Sequence, residues 1–142
     1  MNSINRIDGL SIIIHDGHFD KIHYGLTIAI ASKALDIPVT VFFTMYACSA
    51  LQSPDKWGTL PLSINSGSGY TMDKKLRDLQ IIGFEELISS CNDLDIKFMV
   101  CEMGLVAQGM TLMDLRKDIS LQSGGLTTLI ANAKNSGSII FI

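Results

Sequence analysis

The sequence predicts one α/β domain, a sheet of parallel strands with helices covering both faces. Two observations carry this. Short runs of β-branched residues alternate with stretches of helical periodicity, the pattern of a covered parallel sheet. At 142 residues, with 47% hydrophobic and 18% charged residues, the chain has material for one core. A domain of this size buries roughly two-thirds of its unfolded surface, so folding requires neither a disulfide nor a metal.

Residues 1–9 read as a polar arm on a single domain that spans 1–142. Residues 10–14 (Leu-Ser-Ile-Ile-Ile) then form a run bounded by the turn residues Asp16 and Gly17, which marks a buried strand. Ile22, Leu26, Ala29, Ile30 and Ala34 recur at helical spacing. Asp20 stands where an N-cap belongs, and Pro38 limits the helix. Residues 39–44 are the second strand, and strand, helix and strand together imply a right-handed crossover. Residues 45–51 have room for about two helical turns before Ser53-Pro54, and residues 63–69 are loop by composition. Helical character resumes at Thr71 or Met72, and residues 84–94 carry an apolar stripe through Leu87, Ile88 and Cys91. Residues 97–101 are a third strand, 110–116 a short helix and 119–121 a brief fourth strand. Behind Gly124-Gly125, residues 126–133 form a helix, and residues 138–142 close the sheet. There is no internal repeat and no linker.

The net charge of −3 and the absence of any basic run beyond Lys74-Lys75 argue against nucleic acid or an anionic membrane surface as partner. No stretch reaches the ~18 apolar residues of a membrane-spanning helix. Residues 1–8 lack the basic-then-apolar order of a signal peptide. The mean hydropathy of +0.32 is high for a monomer, and the surplus apolar surface is read as subunit interface. Three widely spaced cysteines do not make a secreted disulfide framework, so a cytoplasmic location with free thiols is expected.

In open α/β sheets ligands gather beyond the carboxyl ends of the strands, where strand order reverses. Three such ends carry polar or reactive residues: His15-Asp16-Gly17-His18, Thr44-Met45-Tyr46-Ala47-Cys48 and Cys101-Glu102-Met103-Gly104. Cys101 matters most. It ends a buried strand before a segment able to start a helix, whose first amides favour a thiolate. The competing reading is a small core residue, and the Glu102 carboxylate opposes a thiolate unless it points away. Cys48 is either structural or, if its loop folds over the strand ends, a resolving thiol for Cys101. Cys91 belongs to the core, and His15 is a polar residue near the thiol. The cluster from His15 to His23 has the H-x-x-H spacing of a metal loop, but zinc wants three or four converging ligands. With Asp20 occupied as a cap the histidines do not converge, and no metal is expected. Gly67 and Gly69 ahead of a helix present amides to an anion, without the Walker ending or the preceding strand of a nucleotide fingerprint. Met45, Met72, Met99, Met103, Met110 and Met113 read as core or interface filler. No serine sits on a nucleophile elbow.

Several segments, in order and spacing, resemble the DsrE/DsrF-like family of small sulfur-relay proteins, in particular its peroxiredoxin-like or sulfurtransferase-like subgroup. They are residues 10–14, Asp20-Lys21, residues 39–44, Leu60-Pro61-Leu62, residues 97–101 with Met103, Gly124-Gly125 and Ile140-Phe141-Ile142. The likeness runs from about Leu10 to the carboxyl terminus. It implies a flavodoxin-like three-layer sandwich around five mostly parallel strands, assembled as a homo-oligomer, a trimer or hexamer. It also implies that Cys101 accepts sulfane sulfur as Cys101–S–SH and relays it to a thiol of a TusA-like carrier or a rhodanese, with no cofactor. Glu102 stands where the family usually has a hydroxyl or small residue, and Gly104 where it has a small polar one. The expected function is thus a sulfurtransferase or persulfide carrier using Cys101, with Cys48, His15 and Met103 as supporting residues. Alternatives are a thiol–disulfide redox protein using Cys101 and Cys48, and a non-catalytic module binding a nucleotide, flavin or anion.

Overall fold

The β-branched run Leu10–Ile14 (β1) pairs in parallel on both sides, with Val39–Phe43 (β2) and with Ser138–Phe141 (β5). β2 pairs with Lys97–Cys101 (β3), and β3 with Leu121–Gly124 (β4), again in parallel. The five strands therefore lie in the order β4-β3-β2-β1-β5. This is a computed structural model that describes residues 7–133 and 137–142; most of the amino-terminal arm, residues 1–6, lies outside them. The helices are α1 (Phe19–Lys33), α2 (Gly69–Asp78), α3 (Phe84–Asp93), α4 (Glu102–Ala107) and α5 (Leu126–Asn132). Three 3₁₀ segments, Met45–Leu51, Lys56–Thr59 and Leu112–Asp114, complete the elements.

The molecule is a three-layer α/β/α sandwich of the flavodoxin-like kind. Its strand order reverses between β1 and β5, where flavodoxin itself reverses between β1 and β3. From β1 to β4 each crossover moves one strand in the same direction. Right-handed connections then put their helices on one face, and the return from β4 to β5 puts α5 on the other. Burial agrees. Ile12, Ile14, Val41, Phe43, Phe98 and Val100 join Phe19, Trp57, Phe84 and Leu87 in the large core. The alternate residues Phe42, Met99 and Cys101 form a small second cluster with Leu129 of α5.

The element starts differ from the sequence reading in places. His18, not Asp20, is the N-cap of α1, and Asp20 lies in the first turn. The Asp20 carboxylate has another partner: it accepts from the Ser63 amide at 2.8 Å and from the Ser63 hydroxyl, holding the 63–69 loop to α1. The helix expected at 110–116 is instead α4, directly after Cys101, followed by a 3₁₀ turn. Thr111 caps that turn, and Leu115 then extends into a bridge with Gln52, which prevents helical continuation. The fourth strand starts at Leu121 rather than at 119; Ile119 packs into the large core instead. α2 begins at Gly69, ahead of Thr71.

Polar staples fix the helical layer. The buried Asp73 carboxylate accepts from the Phe84 amide at 2.7 Å and from Arg77 Nε at 2.9 Å, joining α2 to the start of α3. Glu85 accepts from Trp57 Nε1 at 2.7 Å and from both Arg116 Nη atoms, and Arg116 also grips Asp118. Replacing Asp73 by Ala leaves the Phe84 amide unpaired in a buried setting, so a loss of about 1–3 kcal/mol is expected. A lowered urea midpoint would register it; an unchanged midpoint would show that the staple carries no stability.

Candidate functional site

The exits of β1, β2 and β3 interlock through two glycines. A Cβ on Gly17 would stand 2.8 Å from Tyr46 Cβ, and one on Gly104 would stand 2.5 Å from the Met45 amide nitrogen. The β2 exit is therefore clamped between the loop that follows β1 and the helix α4 that follows β3. Met45 takes a positive φ of 48°, a costly conformation for a residue with a side chain. Backbone strain thus lies at the edge where the sequence placed its candidate residues.

Continuing the strand register by one residue places His15, Thr44 and Cys101 side by side, with Gly124 opposite Cys101. The Thr44 amide, which donates to the Ile14 carbonyl at 3.0 Å, shows that the ladder persists this far. Neighbouring members of the row are separated by ~4.8 Å, the interstrand spacing. By strand alternation all four residues face the α5 side.

Cys101 is the N-cap of α4 and only 2% exposed, lying against Phe42, Met99 and Leu129. The side chain is thus covered, as the competing reading of a small core residue has it, and the reason is topological: α5 returns across this face and seats its one fully buried side chain, Leu129, in the cluster. Glu102 and Met103 are exposed, Met103 at 64%. His15 is half-buried, its ring 5.6 Å from that of Tyr46 and 5.7 Å from that of Phe141. It therefore sits at the β1/β5 reversal, two strands from Cys101.

Cys48 lies in the large core beneath the first turn of α4. A Cβ on Gly104 would meet its Sγ at 3.1 Å. Its thiol donates to the Phe43 carbonyl at 3.7 Å. Burial, with a contribution from the neighbouring Cys101, pushes the Cys48 pKa up to about 12. Burial does the same to Cys91, which is also in the core. All three thiols are free.

The histidines of the 15–23 segment part company. His18 binds Asp16 Oδ1 through both its amide and Nδ1, each at 2.7 Å. Burial raises the Asp16 pKa, but these two His18 bonds outweigh it and hold the carboxyl below its usual range. His23 Nε2 instead donates to the Ile82 carbonyl at 2.9 Å, tying α1 to the entry of α3. Among the described residues, no group of three or more His, Cys, Asp or Glu side chains is placed to hold a metal.

The amides around Gly67 and Gly69 are engaged elsewhere. The Gly69 amide donates to the Leu60 carbonyl at 2.8 Å, and the Ser68 amide to Thr71 Oγ1 at 2.9 Å. Gly69 is glycine because a Cβ would fall 2.2 Å from the Trp57 carbonyl oxygen. These residues close a packing joint in which the Ser68 and Gly69 amides are already paired.

Sequence reasoning missed Thr44 as a member of the Cys101 row and Leu129 as its cover. The first was legible from strand alternation. The second was not, because one leucine in a short helix carries no signal of what it covers.

What the fold and site define is a parallel three-layer α/β protein with a covered thiol at the carboxyl edge of β3. No family model matches the chain, and no curated protein matches it. Among solved structures it is similar to the protein of unknown function MTH1491 from Methanobacterium thermoautotrophicum, with a TM-score of 0.62 and 12% identity over 94% of this chain and 97% of that one. At that identity the likeness concerns the fold.

The glycine clamp is open to test. Gly104→Ala forces a methyl group into the Met45 backbone and is expected to cost about 1–3 kcal/mol in denaturant unfolding. It should also raise the rate at which Cys48 is alkylated under native conditions. Unchanged stability and labelling would show that the β2 exit is not clamped.

Proposed function

We propose that the protein is a sulfur carrier or sulfurtransferase that holds sulfane sulfur on Cys101. The supporting observation is the position of this thiol, at the carboxyl end of β3, beside a strained loop, on the face covered only by α5. The Cys101 thiolate attacks the outer sulfur of a thiosulfate or thiosulfonate donor. The new S–S bond forms as the donor's S–S bond breaks, and sulfite or sulfinate leaves with the electron pair. An acceptor thiolate then attacks the outer sulfur of Cys101–S–SH, carrying sulfur and proton away and restoring the Cys101 thiolate. Oxidation states balance without any further redox partner.

Access to Cys101 is supplied by α5. This helix has seven residues, below the length at which an isolated helix holds in water, and its packing rests on Leu129. Lifting it exposes the thiol without disturbing the large core. The reading also takes in assembly as a homo-oligomer, a trimer or hexamer, in a reducing cytoplasm. Its basis is exposed apolar surface: Phe141 at 68%, Val106 at 77% and Met113 at 86%. A TusA-like carrier or a rhodanese would be the exchange partner, docking at the same edge. No helix among the described residues is long and apolar enough to cross a membrane.

The disulfide alternative is weaker on chemical grounds. Burial pushes the Cys48 pKa up to about 12 and holds its thiol in the neutral, poorly nucleophilic form, which does not suit a resolving thiol.

Incubation with thiosulfate or a persulfidated carrier should add the mass of a sulfur atom to the peptide containing Cys101. Cys101→Ser should abolish the gain, while Cys48→Ala retains it. Leu129→Ala should speed loading about tenfold or more, by removing most of the burial that holds the cover down. Loading that persists in Cys101→Ser, or that Leu129→Ala leaves unaltered, would contradict the reading.

A further inference from the structure

The α5 face changes character along its length. At its centre, Ile13, Phe42 and Met99 lie in one row. One pleat nearer the amino ends of the strands, the row reads Ser11, Thr40 and Lys97, again in register. Covered parallel sheets normally continue as apolar runs on both faces, so a hydroxyl, hydroxyl, ammonium row is a departure that calls for a physical reason. Above it is a cavity of about 520 Å³, whose lining also includes Gln122 of β4 and Asn132 of α5. That volume falls within the roughly 300–1,000 Å³ of small-molecule sites. Met99 and Leu129, lining the same cavity, give it an apolar back wall.

We infer that this cavity is a binding site for a small hydroxylated anion, an oxyanion on a sugar-sized body. Lys97 takes the oxyanion, while Ser11, Thr40, Gln122 and Asn132 exchange hydrogen bonds with the hydroxyls. Lys97 suits the role because β3 is an interior strand, paired on both sides, so this is not a lysine protecting a sheet edge. Among the described residues it has no ion-pair partner. Lys33, Asp8 and Asp95 stand among the lining residues as well, so the lining carries two ammonium and two carboxylate groups, which would orient a ligand rather than merely attract it. The site lies towards the amino ends of the strands, away from the edge that carries Cys101, and does not rest on the sulfur reading.

The test is a nitrogen–proton correlation NMR titration of the whole chain with ribose 5-phosphate, D-gluconate and inorganic phosphate in separate arms. Binding should shift the amide signals of Ser11, Thr40, Lys97 and Gln122. Affinity should fall about tenfold in Lys97→Gln, the expected loss of a charge-assisted hydrogen bond. Lys97 is exposed, so this variant keeps its fold, which its own spectrum checks; Thr40→Val should weaken binding independently. A response to the sugar phosphate alone identifies the oxyanion as phosphate, and to gluconate alone as carboxylate. The inference is overturned if neither sugar acid shifts these signals at millimolar concentration. It is equally overturned if Lys97→Gln binds as well as the parent, or if bare phosphate binds as tightly as both.

Discussion

The right-handedness of parallel crossovers dictates how this sheet is clothed, and the chemistry follows from the clothing. Four strands laid down in one direction send every intervening helix to one side, and only the return to β5 covers the other. The first side therefore builds an aromatic core around Phe19, Trp57 and Phe84, in which Trp57 and Phe84 stack at 4.9 Å. The second side has a small cluster under one short helix. A thiol on the first side, such as Cys48 or Cys91, is held as the neutral form by deep burial. Cys101, whose side chain alternation sends to the second side, lies in the small cluster with Phe42, Met99 and Leu129 of α5.

The magnitude of that cover decides whether a buried cysteine can function. Exposing one buried leucine costs about 1.5–3 kcal/mol, and a seven-residue helix adds little stability of its own. Global unfolding of a domain costs roughly 5–15 kcal/mol. On the proposed reading, opening by α5 alone would populate an accessible state in on the order of one molecule in a hundred, far more often than unfolding does. A thiol covered at rest and reached by local opening would also be protected from indiscriminate oxidation, the protection that the proposed persulfide would need.

Much of this was legible in the sequence, and the remainder was not for identifiable reasons. β1 and β3 were found with the bounds the structure gives them, because short apolar runs ending at turn residues or at a helix start leave little freedom. α3 was legible from Leu87, Ile88 and Cys91 at helical spacing, all buried in the structure. Residues 102–107 were legible only as a segment able to start a helix, since six residues with a glycine among them are too short for a periodicity; Gly104 lets their helix press on the β2 exit. The placement of Asp20 failed for another reason. A carboxylate near a helix start looks like a cap, whereas this one reaches across to Ser63, a partner forty-three residues away in sequence. The convergence of three strand exits was readable from parallel topology, but the choice between an open and a buried Cys101 was not. It depends on which way β5 returns, and strand order is not written in any local pattern.

The central claim, that Cys101 is reached by the local opening of α5 rather than by unfolding, is tested most directly by thiol labelling in sub-denaturing urea. The rate at which Cys101 reacts with a thiol reagent would be measured across urea concentrations well below the unfolding midpoint. A rate nearly independent of urea, accompanied by silence of Cys48 and Cys91, is the result this account predicts. If Cys101 instead labels together with Cys48 and Cys91, with the steep urea dependence of global unfolding, the thiol is sealed in the native state and the account is wrong.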